Sequence, residues 1–502
     1  MPSKAPVSLV VGAGPAGILS AVYLARRGHE VHLFDRRPSP LVCDASDHRA
    51  FFVMLQPRGA AALEGAGFAL RPDGGLQQVS AIAMTLGRRG PQAIPFKQPR
   101  LMGPRHAFVR QMVEQAEAMQ LPNLHFHFET AFEAVDLAAQ TATLRAGSTP
   151  CDSSSSGEEA DGGSSISFSY DLLVAADGGW SRVRRAAEAQ TSELQVTVEQ
   201  VEGRYKVFRH LPASPAMPFT AAGGSSSNGS NGTDAGSKAS KEGSSAAVQL
   251  QMLRPTGAGS SSGPAVMFLA PEAGSASGAV CGMLALTGEA AWEGLQTTEE
   301  CQAFLARQFP SLPAEWLPEI ASQLEAAPLA VAGMRVHASQ LHGPSLVCIG
   351  DAAHGVTPRT GNGMNAALED AVILDQLLEA AGEDLASVPA AFTAKRLPDA
   401  RALLWLDGTA AERNGTSRWG RLHPLALGSG ASMIYRSLLS KATGGWVRPH
   451  AQIAMNDLAM PYREVQAQVC RDNLLLGTLG LPAAAPIAVL AAVAAGADRL
   501  RC

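Results

Sequence analysis

The chain has 502 residues, 46% of them hydrophobic and 17% charged, with a formal net charge of −5 and a pI near 6.2. That is enough apolar mass for a large core and two or three domains, and there is no basic surplus of the kind that binds nucleic acid. The seven cysteines (Cys43, Cys151, Cys281, Cys301, Cys348, Cys470, Cys502) are scattered, odd in number and never in a C-x-x-C pair, which points to free thiols in a reducing compartment and away from disulfides or a metal centre.

The first apolar run, Val7–Val11, starts too early to leave room for a signal or transit peptide. Gly12, Gly14 and Gly17 follow it as G-x-G-x-x-G, then an alanine-rich helix and a second strand, Glu30–Phe34, ending in Asp35. The acid stands 18 residues after Gly17. This is the dinucleotide fingerprint in its required context: Gly12 for the turn, Gly14 for approach to a pyrophosphate, Gly17 for helix–strand packing, Asp35 for a ribose hydroxyl. Arg37 follows the acid and is expected near the adenosine.

Residues 76–97 read as strands and Ala107–Ala118 as a helix. Leu124–Phe128, Ala131–Asp136 and Thr141–Arg145 are short strands; a Ser/Gly-rich insertion at about 147–165 is expected to hang off a hairpin with Ile166–Tyr170. Asp171–Arg185 is an apolar strand ending in Asp177-Gly178, followed by a basic helix start. Leu194–His210 alternates as one strand, a second low-complexity insertion covers about 213–245, and Gln249–Arg254, Ala265–Ala270 and Ala279–Leu286 are further strands. Helices are expected at Thr297–Phe309 and Ala314–Ala327.

The most informative stretch is Leu346–Leu378. A buried strand, Leu346–Ile349, ends at Gly350 and Asp351; a small-residue loop runs from Ala352 to Gly363; a helix occupies Met364–Leu378. A strand, loop and helix N-terminus present free N–H groups and the positive end of the helix dipole to a ligand. Asp351 can accept hydrogen bonds from a polyol, Gly361 and Gly363 let backbone approach a flat ring, and Pro358 stiffens the loop. His354 is expected to pack under the loop. Helices at Val388–Lys395 and Leu397–Ala411 follow, and Leu422–Cys470 is helical by pattern. Leu474–Ala497 is 24 residues without a charge, the length of a membrane span, but it carries Pro482 and Pro486; a span and an amphipathic or buried helix both fit.

The glycine fingerprint, then Asp177-Gly178, then Gly350-Asp351, in that order, resembles the single-component FAD-dependent aromatic hydroxylases with the p-hydroxybenzoate hydroxylase fold. Within that family GDAAHGVTPRTGNGMNAALEDA, RLPDARAL from Arg396 and AIPF (Ala93–Phe96) are similar to the kynurenine 3-monooxygenases. The resemblance implies an α/β fold: a Rossmann-type FAD-binding domain (1–75, 100–193, 330–395), an inserted, mostly antiparallel β-sheet substrate domain (76–99, 194–329) and a C-terminal helical region (396–502) with a candidate membrane-contacting tail at 474–497. It implies FAD as cofactor, NADPH or NADH as co-substrate, and transfer of one oxygen from dioxygen to an aromatic substrate through a flavin C4a-hydroperoxide. It places Gly12, Gly14, Ala16, Gly17, Asp35, Arg37, Arg49, Arg110, Asp177, Gly178, Gly350, Asp351, Gly361, Gly363 and Met364 at the cofactor. Pro358 would line the reacting flavin ring, and Asn365 would face the ring or the substrate. The animal relatives carry a C-terminal anchor, so a cytoplasmic protein and one tail-anchored to an intracellular membrane, such as the mitochondrial outer membrane, are both consistent.

The likeness departs at the substrate. Ungapped alignment on Ala93–Phe96 puts Ile82 and Phe96 where relatives use an arginine and a tyrosine for an amino acid carboxylate, and neither can pair with one. Arg359 and Thr360 replace two phenylalanines, and Arg359 could supply an anion contact from another wall. A kynurenine-like substrate and another phenolic or aromatic one remain open. So do a lipid or isoprenoid epoxidase or reductase of the same fold and a non-catalytic FAD-binding interaction protein.

Overall fold

The structure, a computed structural model, describes residues 4–42, 52–86, 91–147, 164–219, 248–255, 265–273, 275, 278–331, 333–382, 384–412, 440, 444, 454–456 and 460–478. Its nucleotide-binding half is built on a six-stranded sheet in the order β18 (His342–Gly343), β19 (Leu346–Cys348), β10 (Leu172–Ala175), β1 (Val7–Val11), β2 (Glu30–Phe34), β6 (Leu124–His127). Every pairing is parallel except the β18–β19 edge. Leu9, Val10, Leu173, Val174 and Val347 are wholly buried, which is why the central strands are continuous apolar runs instead of alternating ones. Cys348 is a free, buried thiol in this core, pushed up to about 12 by burial.

The second large sheet has eight strands: β16 (Ala330–Val331), β12 (Gly203–Leu211), β15 (Val280–Thr287), β14 (Val266–Pro271), β13 (Val248–Arg254), β4 (Gln77–Leu86), β5 (Gln92–Pro104) and β3 (Phe52–Met54). Its neighbours are antiparallel except β13 and β4. A three-stranded meander, β7 (Thr130–Asp136), β8 (Thr141–Ala146) and β9 (Ser165–Ser169), and a ribbon of β11 (Val196–Gln200) with β17 (Met334–Ala338) complete the strands described.

Helix α1 (Pro15–Arg26) leaves β1, α2 (Pro57–Gly65) leaves β3, and α3 (Arg105–Ala118) leaves β5. Helix α4 (Arg182–Glu188) follows β10. Next come α5 (Ala290–Glu293), α6 (Thr298–Gln308) and α7 (Leu317–Ala326), which cover the large sheet with a second core around Trp292, Phe304 and Trp316. Helix α6 opens on a Thr297/Glu300 capping box. The C-terminal part packs α8 (Asp351–His354), α9 (Gly363–Ala381), α10 (Val388–Glu412) and α11 (Tyr462–Thr478) together.

Several expectations are revised. Leu194–His210 is two strands, because the chain bends at Val201–Glu202 between the β17 ribbon and the large sheet; Val201 N–H bonds Gly333 O at 3.3 Å at the break. The helices expected at Val388–Lys395 and Leu397–Ala411 are one, with Pro398 inside. Pro398 removes one helical hydrogen bond at a cost of about 3 kcal/mol, which burial of the apolar Phe392, Ala402 and Leu403 offsets. The stretch from Ala352 to Gly363 is not a plain loop: it holds the rest of α8 and a 3-10 turn at Pro358–Thr360. The second insertion starts later than 213, since Ser214, Met217 and Phe219 are buried and Ser214 donates to Glu315 at 2.5 Å. Residues 148–163 and 220–247 lie outside the described residues.

Candidate active site

Strands β19, β10, β1 and β2 are neighbours, so their C-terminal ends bring Gly350-Asp351, Asp177-Gly178, the Gly12–Gly17 loop and Asp35 to one edge of the sheet. The loops are in contact. A Cβ on Gly12 (φ +108°) would sit 2.4 Å from Ala176 O, one on Gly17 would sit 1.9 Å from Gly12 O, and one on Gly350 (φ +58°) would meet Ala367 and Ala16. Only glycine closes these approaches. Arg184 is buried and clamps two loops, donating to Ala352 O and Gly179 O at 2.7 Å each.

Asp35 is buried and accepts from Ala13 N at 2.8 Å and from the backbone and guanidinium of Arg37 at 2.9–3.0 Å. Burial opposes its ionisation, but Arg37 holds the carboxyl below its ordinary value. Arg37 is more than half exposed and caps the acid from outside. Asp177 turns its carboxylate onto its own helix, accepting from Ser181 Oγ at 2.5 Å and Arg182 N at 2.7 Å; Gly178 (φ +86°) has open space where a side chain would be. Arg49 lies outside the described residues. Arg110 is exposed on α3, and the guanidinium at the glycine loop is instead that of Arg105, whose Nη2 is 2.8 Å from where a Gly14 Cβ would be. The two arginines are five residues apart, about 140° round the helix. Arg105 is the first residue of α3, at its junction with β5, a position that no local sequence pattern marks.

The third loop is held by long-range bonds that local patterning does not reveal. Asp370, wholly buried on α9, accepts from Gly350 N at 2.7 Å, His354 Nε2 at 2.7 Å and Arg396 Nε at 2.5 Å. Burial works against the Asp370 carboxylate, yet the His354 and Arg396 charges hold it below its ordinary value. His354 packs under the loop, as expected. Thr357 is tied to buried Asp407 on α10 at 2.6 Å. Tyr462 on α11 lies 3.5 Å from Asn362, and Arg58 sits over the Tyr462 ring while donating to Glu369 at 2.7 Å and to Met455 O at 2.9 Å. Arg58 therefore braces α2 against α9 and α11.

Asp351 is exposed at the start of α8, and Gly361 (φ +65°), Gly363 and Met364 lead into α9. Pro358 is exposed at the rim; the side chain of Arg359 lies outside the described residues. The amide groups of Asn365 are bonded within the protein. Its carbonyl accepts from Gln56 N at 2.7 Å and its amide donates to Met54 O and Gly361 O at 3.1 and 3.0 Å, pinning β3 and α2 to the loop. Ile82 and Phe96 share one face of the β4–β5 pair, half-buried beside Met54 and Phe268, and Arg100 lies over the Phe96 ring at 4.0 Å.

These residues fit a flavin nucleotide. The glycine loop leaves no room for side chains where a pyrophosphate would lie. The first N–H groups of α1 and α9 lack intrahelical partners, and Thr360 Oγ1 is buried in the loop before α9 with no hydrogen-bond partner. The profile of a family described as "FAD binding domain" matches residues 4–204 and 260–404. Kynurenine 3-monooxygenase of Salinispora arenicola is 28% identical over 508 residues, 97% of this chain and 96% of that one. Violacein synthase of Chromobacterium violaceum is 27% identical over 383 residues, 74% and 77% of the two. Among solved structures, the tetrameric form of 2-methyl-3-hydroxypyridine-5-carboxylic acid oxygenase superposes with a TM-score of 0.58 at 18% identity, covering 85% of this chain and 96% of that one. PqsL of P. aeruginosa in complex with 2-aminobenzoylacetate gives 0.56 at 19%, covering 82% and 97%. The chain belongs to the FAD-binding-domain family and is an FAD-dependent monooxygenase.

Proposed function

We propose that the chain hydroxylates a small kynurenine-like or otherwise amino- or hydroxy-substituted aromatic compound, with NADPH or NADH as electron donor. The observation that carries this reading is the position of the Pro358–Met364 turn and the α9 start, joined through Asn365 and Gln56 to the apolar face of Ile82, Phe96 and Met54. When bound, FAD supplies the electron transfer and oxygen activation that no side chain provides. The residues of the chain bind, orient and exclude water. The start of α9 favours negative charge at Gly361–Met364, Asn365 and Gln56 fix the loop against β3, and the apolar wall keeps the aromatic ring dry. The kynurenine 3-monooxygenase relatives support the aromatic class. Oxygen and NADPH consumption by the purified holoprotein, screened with L-kynurenine, phenols and anthranilates and followed by product mass, tests it. One oxygen gained by one compound is the expected result; uncoupled oxidation indifferent to every aromatic would sink it.

We further propose that any membrane contact is made by 474–497. Leu474–Thr478 closes α11, the rest lies outside the described residues, and among the described residues no helix is long and apolar enough to cross a membrane. Liposome co-sedimentation of the full chain against one ending at Thr478 checks this, and equal sedimentation would refute it.

A further inference from the structure

Among the described residues Arg100 is a cation that forms no ion pair. It stands on β5, where four residues, Phe96–Pro99, oppose one, Ser80, between the pairs Ala81–Pro95 and Val79–Arg100. A bulge of this kind re-aims the side chain that follows it, and here Arg100 folds back over the Phe96 ring, 4.0 Å from its centroid. One of its five donors reaches Gln56 Oε1. Among the described residues no carboxylate pairs with it, although it is half-buried and burial alone pulls its pKa down. Four other arginines around the site are engaged within the protein: Arg37 on Asp35, Arg184 on two carbonyls, Arg58 and Arg396 on Glu369; Arg105 stands apart at the glycine loop, beside Gly14. A partly desolvated guanidinium held by one neutral amide is costly unless a ligand completes it.

Its surroundings say where that ligand lies. Gln56, which orients Arg100, has its own N–H fixed by Asn365, and its Nε2 is 3.7 Å from where a Gly361 Cβ would be. Arg100 therefore bridges the apolar wall of Ile82 and Phe96 to the turn that opens α9. The remaining donors form the planar fork that suits a carboxylate.

We propose that Arg100 is the anion receptor of the substrate site, so that the substrate is an aromatic acid whose carboxylate meets the Arg100 fork while its ring lies against Ile82 and Phe96. The inference rests on the aromatic-hydroxylase reading and narrows it. It also resolves the departure at Ile82 and Phe96: the cation absent from β4 is supplied by β5. Gln56 acts as a positioning residue.

The test uses holoenzyme and paired probes that differ in one charge, anthranilate against anthranilamide and 4-hydroxybenzoate against 4-hydroxybenzamide, with L-kynurenine alongside. Binding is read from the flavin absorbance change and turnover from NADPH oxidation. The wild type is expected to prefer the acid of a pair. Arg100→Met, which keeps the stem over Phe96, is expected to weaken acid binding roughly 10- to 100-fold and change amide binding by less than about threefold. The loss should appear in KM far more than in kcat, with Arg100→Lys intermediate; FAD content and Tm report the fold of each variant. Turnover of acids with an Arg100→Met KM equal to wild type, or a rise confined to the KM of NADPH, would overturn the proposal and leave the hydroxylase reading intact. So would a wild type that prefers the amides. If no probe raises NADPH oxidation and none binds, both fall together.

Discussion

At the scale of single residues the site depends on what a side chain would displace. Gly17 packs its Cα where any Cβ would strike Gly12 O at 1.9 Å, a backbone atom that cannot swing away. Gly17→Ala is expected to abolish FAD retention, whereas Gly294→Ala, with nothing within 4 Å, should shift stability by less than about 0.5 kcal/mol; the flavin absorbance of the purified proteins separates them. The arginines give a second contrast. Arg105→Ala removes the guanidinium beside Gly14 and is expected to weaken FAD binding by roughly 1.5–3 kcal/mol, about 10- to 100-fold. Arg110→Ala should leave it near wild type; equal losses in FAD titration would restore Arg110 to the cofactor site. Gly12 and Gly17 are legible in the sequence because the backbone approaches they serve exclude every other residue type. Arg105, Arg100 and Gln56 are not, because a strand bulge and a strand-to-helix junction aim them, and no local pattern encodes either.

At the scale of elements, α9 and α10 hold the third loop through Asp370. Its carboxylate is shared by Gly350, His354 and Arg396, residues 16 to 26 positions away. Asp370→Asn removes the carboxylate shared by Gly350, His354 and Arg396 and leaves buried Arg396 with Glu369 as its one carboxylate partner among the described residues; it is expected to cost about 3 kcal/mol, read as a lower Tm and looser FAD. The pH dependence has a definite sign. The folded Asp370 pKa lies below its unfolded value, so its contribution is complete above the unfolded carboxylate pKa near 3.9 and is lost as pH falls through the lower folded value. The Tm gap between wild type and Asp370→Asn should therefore be constant at neutral pH and narrow only in strong acid; a gap that closes between pH 8 and 6 would assign the effect to another group. Strand β19 and helix α9 were readable from apolar runs and helical spacing. The network was not, because each of its bonds joins elements that sequence reading treats one at a time, and Pro398 misleads it about α10.

At the scale of the whole molecule, the alternation of strands and helices was legible, since each sheet carries its own hydrophobic period, while the partition of Leu194–His210 between two sheets was not, since one alternating pattern serves either. The Ser/Gly-rich stretch 220–247 tests how separable such decoration is from the fold. It is flanked by Phe219, eight residues past the end of β12, and by Val248, where β13 begins, and Gln249 N–H donates to Phe219 O at 2.7 Å, so its two flanks are already at bonding distance. Closure of a loop costs free energy that grows only as the logarithm of its length, so a short linker needs less ordering than 28 residues by roughly 1 kcal/mol. Met217 and Phe219 are buried against the second core and must stay. Replacing 220–247 by a short Gly/Ser linker is thus expected to keep FAD, the large sheet and substrate-stimulated NADPH oxidation, with Tm unchanged or slightly raised. Retained flavin with lost stimulation would mean that the stretch acts on the wall formed by β4 and β5, beside which β13 begins, and would tie the decoration to the substrate side of the molecule.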